Sequence, residues 1–169
     1  MQPADSRLTE VEDLYRQLGG SLLLFGVSIC GEPSRAQDAL HQVFLRLMET
    51  GSLSNATDKR AYLFASVRNT LLNDWKSRQR SVPIETERIW FEPPNRDYAA
   101  ESNLRRALHA LPDDQRQVVI LHIWGELTFS QVAEVMSISA NTAASRYRYA
   151  MAKLREEMLV KENSDGLSG

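Results

Sequence analysis

The stretch Leu111–Arg155, LPDDQRQVVILHIWGELTFSQVAEVMSISANTAASRYRYAMAKLR, carries the clearest structural signal in this chain, a helix-turn-helix with legible start and stop signals. Thr128-Phe129-Ser130-Gln131 has the T-x-x-Q form of a capping box. In such a box the Thr hydroxyl takes a free backbone N–H, and the Gln three residues on reaches back to the start of the helix. Val132, Ala133 and Met136 give that helix an apolar stripe. Ser137-Ile138-Ser139 then makes a short turn with one apolar plug, and Ser139 can cap a second helix running through Arg155. Ala143, Tyr147, Ala150, Leu154 and Met158 recur at three- and four-residue spacing and are expected to face inward. The opposite face carries Asn141, Thr142, Ser145 and Arg148, flanked by Arg146, Lys153 and Arg155, and no acidic residue falls between Ala140 and Arg155. Small polar groups at a helix start can reach base edges, and arginines can hold phosphates. Arg148 lies one turn past Ser145 and can reach either a guanine or a phosphate, whereas Asn141 is too short for anything but a base edge or the nearest phosphate.

Upstream, the same periodicity predicts helices almost throughout. Leu14, Leu18, Leu22, Phe25 and Ile29 form the stripe of a first long helix ended by Gly31-Glu32-Pro33. Ser34-Arg35-Ala36-Gln37 reads as a second capping box, opening a helix with Ala36, Leu40, Val43, Phe44 and Leu47 inward and Gly51 as its stop. After a polar loop, a third helix carries Tyr62, Phe64, Val67, Leu71, Leu72 and Trp75 and ends in the basic run Lys76–Arg80. Over this helix Lys59, Arg60, Arg68, Lys76, Arg78 and Arg80 oppose only Asp74. From Ser81 to Ala100 periodicity fails: Pro83, Pro93 and Pro94 break helices, and Glu85, Glu87, Glu92 and Asp97 make the segment acidic, as suits a linker. Leu104, Leu108 and Leu111 follow, then Pro112-Asp113-Asp114 opens a helix with Pro in the first turn and carboxylates at the positive end of the dipole. Residues from Asn163 onward read as a disordered tail. The expected fold is all-α, two small helical domains joined by a flexible acidic linker.

Composition narrows the function. With 169 residues and 43% hydrophobic content the chain has room for two small domains. No run of about eighteen apolar residues suggests a membrane span, and the acidic, polar start MQPADSRLTEVEDLY lacks a secretory segment, so the expected location is the cytoplasm. The single cysteine, Cys30, reads as a buried structural thiol at a helix end. His41, His109 and His122 are the only histidines and form no H-x-x-x-H or H-E-x-x-H pair, so no metal site is expected. A glycine-rich phosphate loop and a nucleophile motif are also missing, so neither a catalytic residue nor a cofactor is expected. A net charge of −2 and a pI near 5.9 argue against strong DNA binding by the isolated chain. The basic charge is local, on the third and last helices, while acids collect in the linker.

The block LPDDQRQVVILHIWGELTFSQVAEVMSISANTAASRYRYAMAKLRE resembles region 4 of the extracytoplasmic-function sigma factors, small alternative specificity subunits of bacterial RNA polymerase. LuxR-type response regulators share a similar helix-turn-helix. The N-terminal block DLYRQLGGSLLLFGVSICGEPSRAQDALHQVFLRLMETGSLSNATDKRAYLFASVRNTLLNDWKSRQR resembles sigma region 2, which response regulators lack. The resemblance implies region 2 over residues 8–80, a linker over 81–100, region 4 over 101–158 and a tail over 159–169. It implies that region 2 docks on the clamp of core RNA polymerase and recognises the melted minus-ten element, and that region 4 reads the minus-thirty-five element as duplex. The linker carboxylates would mimic nucleic acid in a basic channel.

Transferred residue by residue, the resemblance assigns Asp38, Gln42 and Phe44 to the polymerase contact. Lys59, Arg60, Tyr62, Asn69, Lys76 and Arg78 go to minus-ten recognition and melting, where aromatic and amide groups suit unstacked bases. Asn141, Thr142, Ala144, Ser145, Arg146 and Arg148 go to the minus-thirty-five duplex. The expected partners are core polymerase, promoter DNA and, where one exists, an anti-sigma factor. Three positions depart from the family pattern. His41-Gln42-Val43-Phe44 lacks the acid that usually follows the Gln, leaving Asp38 one turn earlier to serve. Ala144 stands where Lys is common, and Tyr62 replaces a tryptophan. The competing reading is a stand-alone helix-turn-helix transcription regulator, which would bind duplex DNA without polymerase.

Overall fold

The computed structural model describes residues 3–51, 57–78 and 98–166, and among these it contains seven α-helices and no strand. In chain order they are α1 (Pro3–Cys30), α2 (Pro33–Thr50), α3 (Lys59–Arg78), α4 (Tyr98–Ala110), α5 (Asp113–Ile123), α6 (Phe129–Met136) and α7 (Ala140–Gly166). Helices α1, α2 and α3 pack on one another, and α4, α5 and α6 pack around α7.

The first group buries the stripes expected of it. Leu18, Leu22 and Phe25 of α1, Leu40, Val43, Phe44 and Leu47 of α2, and Phe64, Val67 and Leu71 of α3 are all buried. Each such side chain removed from water contributes about 1.5–3 kcal/mol. Helix α2 stops at Gly51, whose φ of 63° turns the chain left-handed while its N–H donates to the Leu47 carbonyl at 3.0 Å. Glycine alone adopts that conformation without a Cβ penalty.

Several local expectations are corrected. The box at Ser34–Gln37 does not form: α2 starts one residue earlier, with Pro33 in the first turn and Glu32 as an N-cap that makes no side-chain capping bond. Proline in the first position has no N–H to leave unsatisfied and already has the helical φ. Pro112 is itself the N-cap of α5 and so precedes its first turn. Helix α4 takes up Tyr98–Ala100, the last residues assigned to the linker, and residues 81–97 lie outside the described residues. Helix α7 continues to Gly166, past the point where a tail was expected. Met158, expected inward, is exposed, because α7 by then has run beyond its partners.

The two helical groups also meet. Helix α1 contacts α5 and α3 contacts α6. One apolar cluster joins Phe25 and Phe64 of the first group to Val118, Ile120, Leu121, Leu127 and Val132 of the second. A smaller cluster, Ala107, Leu108, Leu111, Val119, Ala150 and Leu154, fixes α4 under α5 and α7.

Candidate nucleic-acid interface

The helix-turn-helix forms as its sequence predicts. The Gln131 N–H donates to the Thr128 hydroxyl at 3.2 Å, and the Thr128 N–H donates to the Gln131 side-chain carbonyl at 2.8 Å, completing the capping box. Val132, Ala133, Val135 and Met136 bury the inner face of α6. Ser137 ends it in a left-handed conformation, and Ile138 plugs the turn against the core. The Ser139 hydroxyl then accepts the Thr142 N–H at 3.1 Å, capping α7. Ala143 and Ala150 are fully buried under α7, so this helix lies close on α5 and α6.

Three rings set the angle between these helices, and sequence reasoning missed two of them. His122 of α5 stacks on Phe129 of α6 at 4.4 Å, and Tyr147 of α7 meets the His122 ring edge-on at 4.7 Å. A ring nitrogen of His122 also lies 2.8 Å from the Leu127 carbonyl. The signal available in the sequence was the aromatic at the residue after the Thr128 cap. Aromatic pairs of this kind add roughly 0.5–1.5 kcal/mol beyond their buried area.

On the outer face Asn141 and Arg148 are exposed, while Thr142, Ala144, Ser145 and Arg146 are half-buried. The Thr142 hydroxyl bonds the Ser139 hydroxyl at 2.8 Å, so it is engaged in the cap. A guanidinium N–H of Arg148 donates to the Ser145 hydroxyl at 3.2 Å, and Arg146 pairs with Asp114 of α5 at 3.6 Å.

Helix α3 presents a second candidate face. Asp58 caps it by accepting the Ala61 N–H at 3.2 Å. Tyr62, Asn69 and Lys76 are spaced by seven residues, so they share one stripe, with successive members about 10 Å apart along the axis. Asn69 and Lys76 are exposed, Tyr62 is half-buried against the core, and Trp75 is exposed. Of the two aromatics, therefore, Tyr62 is the one that packs. Lys59 and Arg60 lie at the helix start, where Lys59 pairs with Glu10 of α1 and Arg60 with Glu126 at 2.7 Å. Between the stripe members, desolvation holds the half-buried Arg68 guanidinium below its ordinary range. Arg78 closes α3, and its side chain lies outside the described residues.

On α2, Asp38 and Gln42 are exposed one turn apart. Phe44 is buried and meets Tyr15 edge-on at 5.1 Å, so it lies beneath these exposed residues. Leu45, one turn past Gln42 and 56% exposed, is the apolar group that sequence reasoning passed over on this face. Its offset from the buried stripe was the available signal. Cys30 donates to the Glu32 carbonyl at 3.3 Å, and burial raises its thiol pKa, which fits the inert reading. Among the described residues no group of His, Cys, Asp and Glu could hold a metal ion.

Comparison with known proteins bears on these faces. Residues 101–154 match the family model "Sigma-70, region 4". The RNA polymerase sigma-E factor of Streptomyces antibioticus is 30% identical over 164 residues, covering 94% of this chain and 90% of that protein. The extracytoplasmic-function sigma factor EcfG of Rhodopseudomonas palustris (strain TIE-1) is 27% identical over 150 residues, covering 86% and 83%. The fold is similar to that of the sigma factor RpoE from Bartonella quintana, crystallised with the anti-sigma factor NepR, with a TM-score of 0.72 and 22% identity over 88% of this chain and 96% of that one. The likeness extends across both helical groups and is not confined to the helix-turn-helix, which separates this chain from the response regulators: it belongs to the extracytoplasmic-function sigma factors of RNA polymerase.

Proposed function

We infer that this chain is an alternative sigma factor that binds core RNA polymerase and directs promoter recognition and transcription initiation. One observation carries the reading: a capped helix-turn-helix and an upstream helical group align together with full-length sigma factors. Sigma factors are initiation factors and supply no covalent chemistry. Their contribution is binding energy for selected DNA.

Region 2 corresponds to residues 8–80 and region 4 to 101–158. Asp38 and Gln42, with Phe44 beneath them and Leu45 beside them, make the polymerase contact. The α3 stripe of Tyr62, Asn69 and Lys76, with Lys59, Arg60 and Arg78 at its ends, takes the melted minus-ten strand. Bases held there offset the cost of opening the duplex, a few kcal/mol per base. Asn141, Thr142, Ala144, Ser145, Arg146 and Arg148 line the α7 surface that enters the minus-thirty-five major groove. The protein acts in the cytoplasm, where the polymerase is, and no helix among the described residues is long and apolar enough to cross a membrane. An anti-sigma factor is a fitting regulator, since the similar RpoE was crystallised with one.

Co-purification with core polymerase, followed by run-off transcription on genomic DNA, tests this reading. A sigma factor gives defined start sites only when polymerase and chain are both present. Sequence-specific duplex binding without polymerase, and no co-purification, would establish the stand-alone regulator in its place.

A further inference from the structure

Tyr149 on α7 has no part in the core and none in the DNA contacts assigned above. It is 69% exposed, more than any other large apolar side chain among the described residues. Among those residues no hydrogen bond engages its hydroxyl. A single exposed apolar group is ordinary on a protein surface, and the informative feature is the company this one keeps. Residues three and four apart on a helix are neighbours on one face. Arg146, Tyr149 and Lys153 stand at i, i+3 and i+7, so the phenol lies between two cations along one stripe. At about 100° per residue, Tyr149 is some 40° around α7 from Ser145 and about 140° from the buried Leu154, so the stripe faces outward. No acidic residue falls between Ala140 and Arg155, and Asp114 of α5 meets the stripe at Arg146, 3.6 Å away.

This composition selects the ligand. An apolar partner would bury the ring but would also desolvate the flanking cations without supplying anions to pair them, which is costly. A row of phosphates satisfies all three side chains, since phosphate oxygens in DNA complexes accept from tyrosine hydroxyls as well as from Arg and Lys. At about 1.5 Å per residue, Tyr149 lies about 12 Å along the axis from Asn141, roughly the width of the major groove. With Asn141 at the bases, Tyr149 falls at the groove edge, where the backbone runs. We propose that the Tyr149 hydroxyl donates to a backbone phosphate beside the minus-thirty-five element, between phosphates held by Arg146 and Lys153, and so fixes the angle at which α7 enters the groove. This proposal rests on the sigma-factor reading. Tyr149 is then a positioning residue that carries no sequence information of its own. Being uncharged, it holds a phosphate without neutralising it, so it releases no counterion and its contribution does not depend on salt as that of Arg or Lys does.

The test is holoenzyme binding to promoter duplex, with the full chain on core polymerase, read by anisotropy across a range of KCl for Tyr149→Phe, Tyr149→Ala and Lys153→Ala. Tyr149→Phe removes one oxygen and keeps the ring. It should weaken binding about 3–10-fold on every minus-thirty-five sequence, with the salt slope unchanged. Lys153→Ala should also weaken binding on every sequence, and should flatten the slope by about one. Both positions are exposed, so circular dichroism and the urea midpoint should stay at wild-type values. If the ring instead packs on a thymine methyl, Tyr149→Phe binds as wild type, Tyr149→Ala relaxes preference at one position, and uracil in place of that thymine weakens the wild-type complex. That outcome overturns the phosphate contact. Wild-type DNA binding in both Tyr149 variants overturns it too, as does a loss of affinity for core polymerase in the absence of DNA, which would assign the ring to a protein contact. A wild-type chain that forms no holoenzyme would overturn the sigma-factor reading on which the contact rests.

Discussion

Arg146 on α7 and Asp114 in the first turn of α5 form an ion pair at 3.6 Å, which ties the flank of the candidate reading helix to its neighbour. The side chains are 29% and 55% exposed, so the pair adds little stability, at most about 1 kcal/mol. Its consequence is positional, because a phosphate approaching Arg146 must compete with Asp114. Asp114→Asn should therefore tighten holoenzyme binding to minus-thirty-five duplex DNA and steepen the salt dependence by about one. Arg146→Ala should weaken binding by a similar factor on every sequence and flatten the slope by about one. Anisotropy titrations across a range of KCl measure both, and unchanged slopes would remove Arg146 from the phosphate contact.

Base readout is expected at Asn141, which is exposed at the start of α7. Asn141→Ala should relax preference at one minus-thirty-five position. Arg148, braced on the Ser145 hydroxyl, distinguishes its two roles by the kind of loss. Arg148→Ala costs about 1–3 kcal/mol at one base if it reads guanine, and costs the same on all sequences if it holds phosphate. Ala144→Lys should strengthen binding, since Lys gives up only a few tenths of a kcal/mol of helix propensity to Ala. Holoenzyme selection from a randomised minus-thirty-five library reads all three. If none changes affinity or preference, this face belongs to a protein contact.

Much of this geometry was legible because its signals are local. Thr128 with Gln131, Ser139 with Thr142, and the stripes of α1 to α3 are all defined within a few residues, and backbone donors at a helix start need satisfying wherever the helix packs. The Ser34 box failed for an equally local reason, an adjacent proline that outcompetes it. The joint between the regions was not legible. Its bonds link Ser21 to Trp124 and Asp58 to Gln131, residues 103 and 73 positions apart, and no periodicity encodes such a pairing. The two-domain pattern suggested separate cores, yet alternation of apolar residues cannot reveal which buried faces are shared. Likewise Phe44 could be placed inward by its spacing and at a partner contact by resemblance, and its burial shows that the inward placement holds in this chain by itself.

The polymerase contact is expected on the exposed side of α2. Asp38→Lys with Gln42→Lys should weaken the complex with core polymerase at least tenfold while leaving far-ultraviolet circular dichroism unchanged, because both positions are exposed and lysine is a good helix former. Wild-type affinity in this double variant would show that the contact lies elsewhere.

For strand opening, Asn69 is the informative position on α3, exposed in the same stripe as Tyr62 and Lys76. An amide aimed at an extruded base acts only after the strands part. Asn69→Ala should therefore reduce the permanganate signal of the open promoter several-fold with little change in closed-complex affinity. An unaltered bubble signal would leave Asn69 with no part in melting.

Arg116 sets the stability of the region that carries the reading helix. Its guanidinium, in a residue only 5% exposed, donates to the carbonyls of Leu108 at 2.9 Å, His109 at 2.9 Å and Leu111 at 2.7 Å, and to the Asp113 carboxylate at 2.9 Å. The Leu108 carbonyl also accepts the Leu111 N–H at 3.2 Å, so one side chain from α5 adds its bonds to the backbone turn at the α4 terminus. Arg116→Met keeps the apolar stem but removes these charge-assisted bonds at a buried position, which should cost about 2–5 kcal/mol. Arg116→Lys should recover part of the loss, since an ammonium has three donors but not the planar fork. Because Leu108 and Leu111 share a cluster with Ala150 and Leu154, loosening α4 also loosens α7. Urea unfolding should therefore show the loss of stability, and holoenzyme binding to minus-thirty-five DNA should fall in the same order, wild type above Lys above Met. A Met variant within about 1 kcal/mol of wild type would mean that water replaces the guanidinium at the α4 terminus, and that the end of α4 does not govern the reading helix.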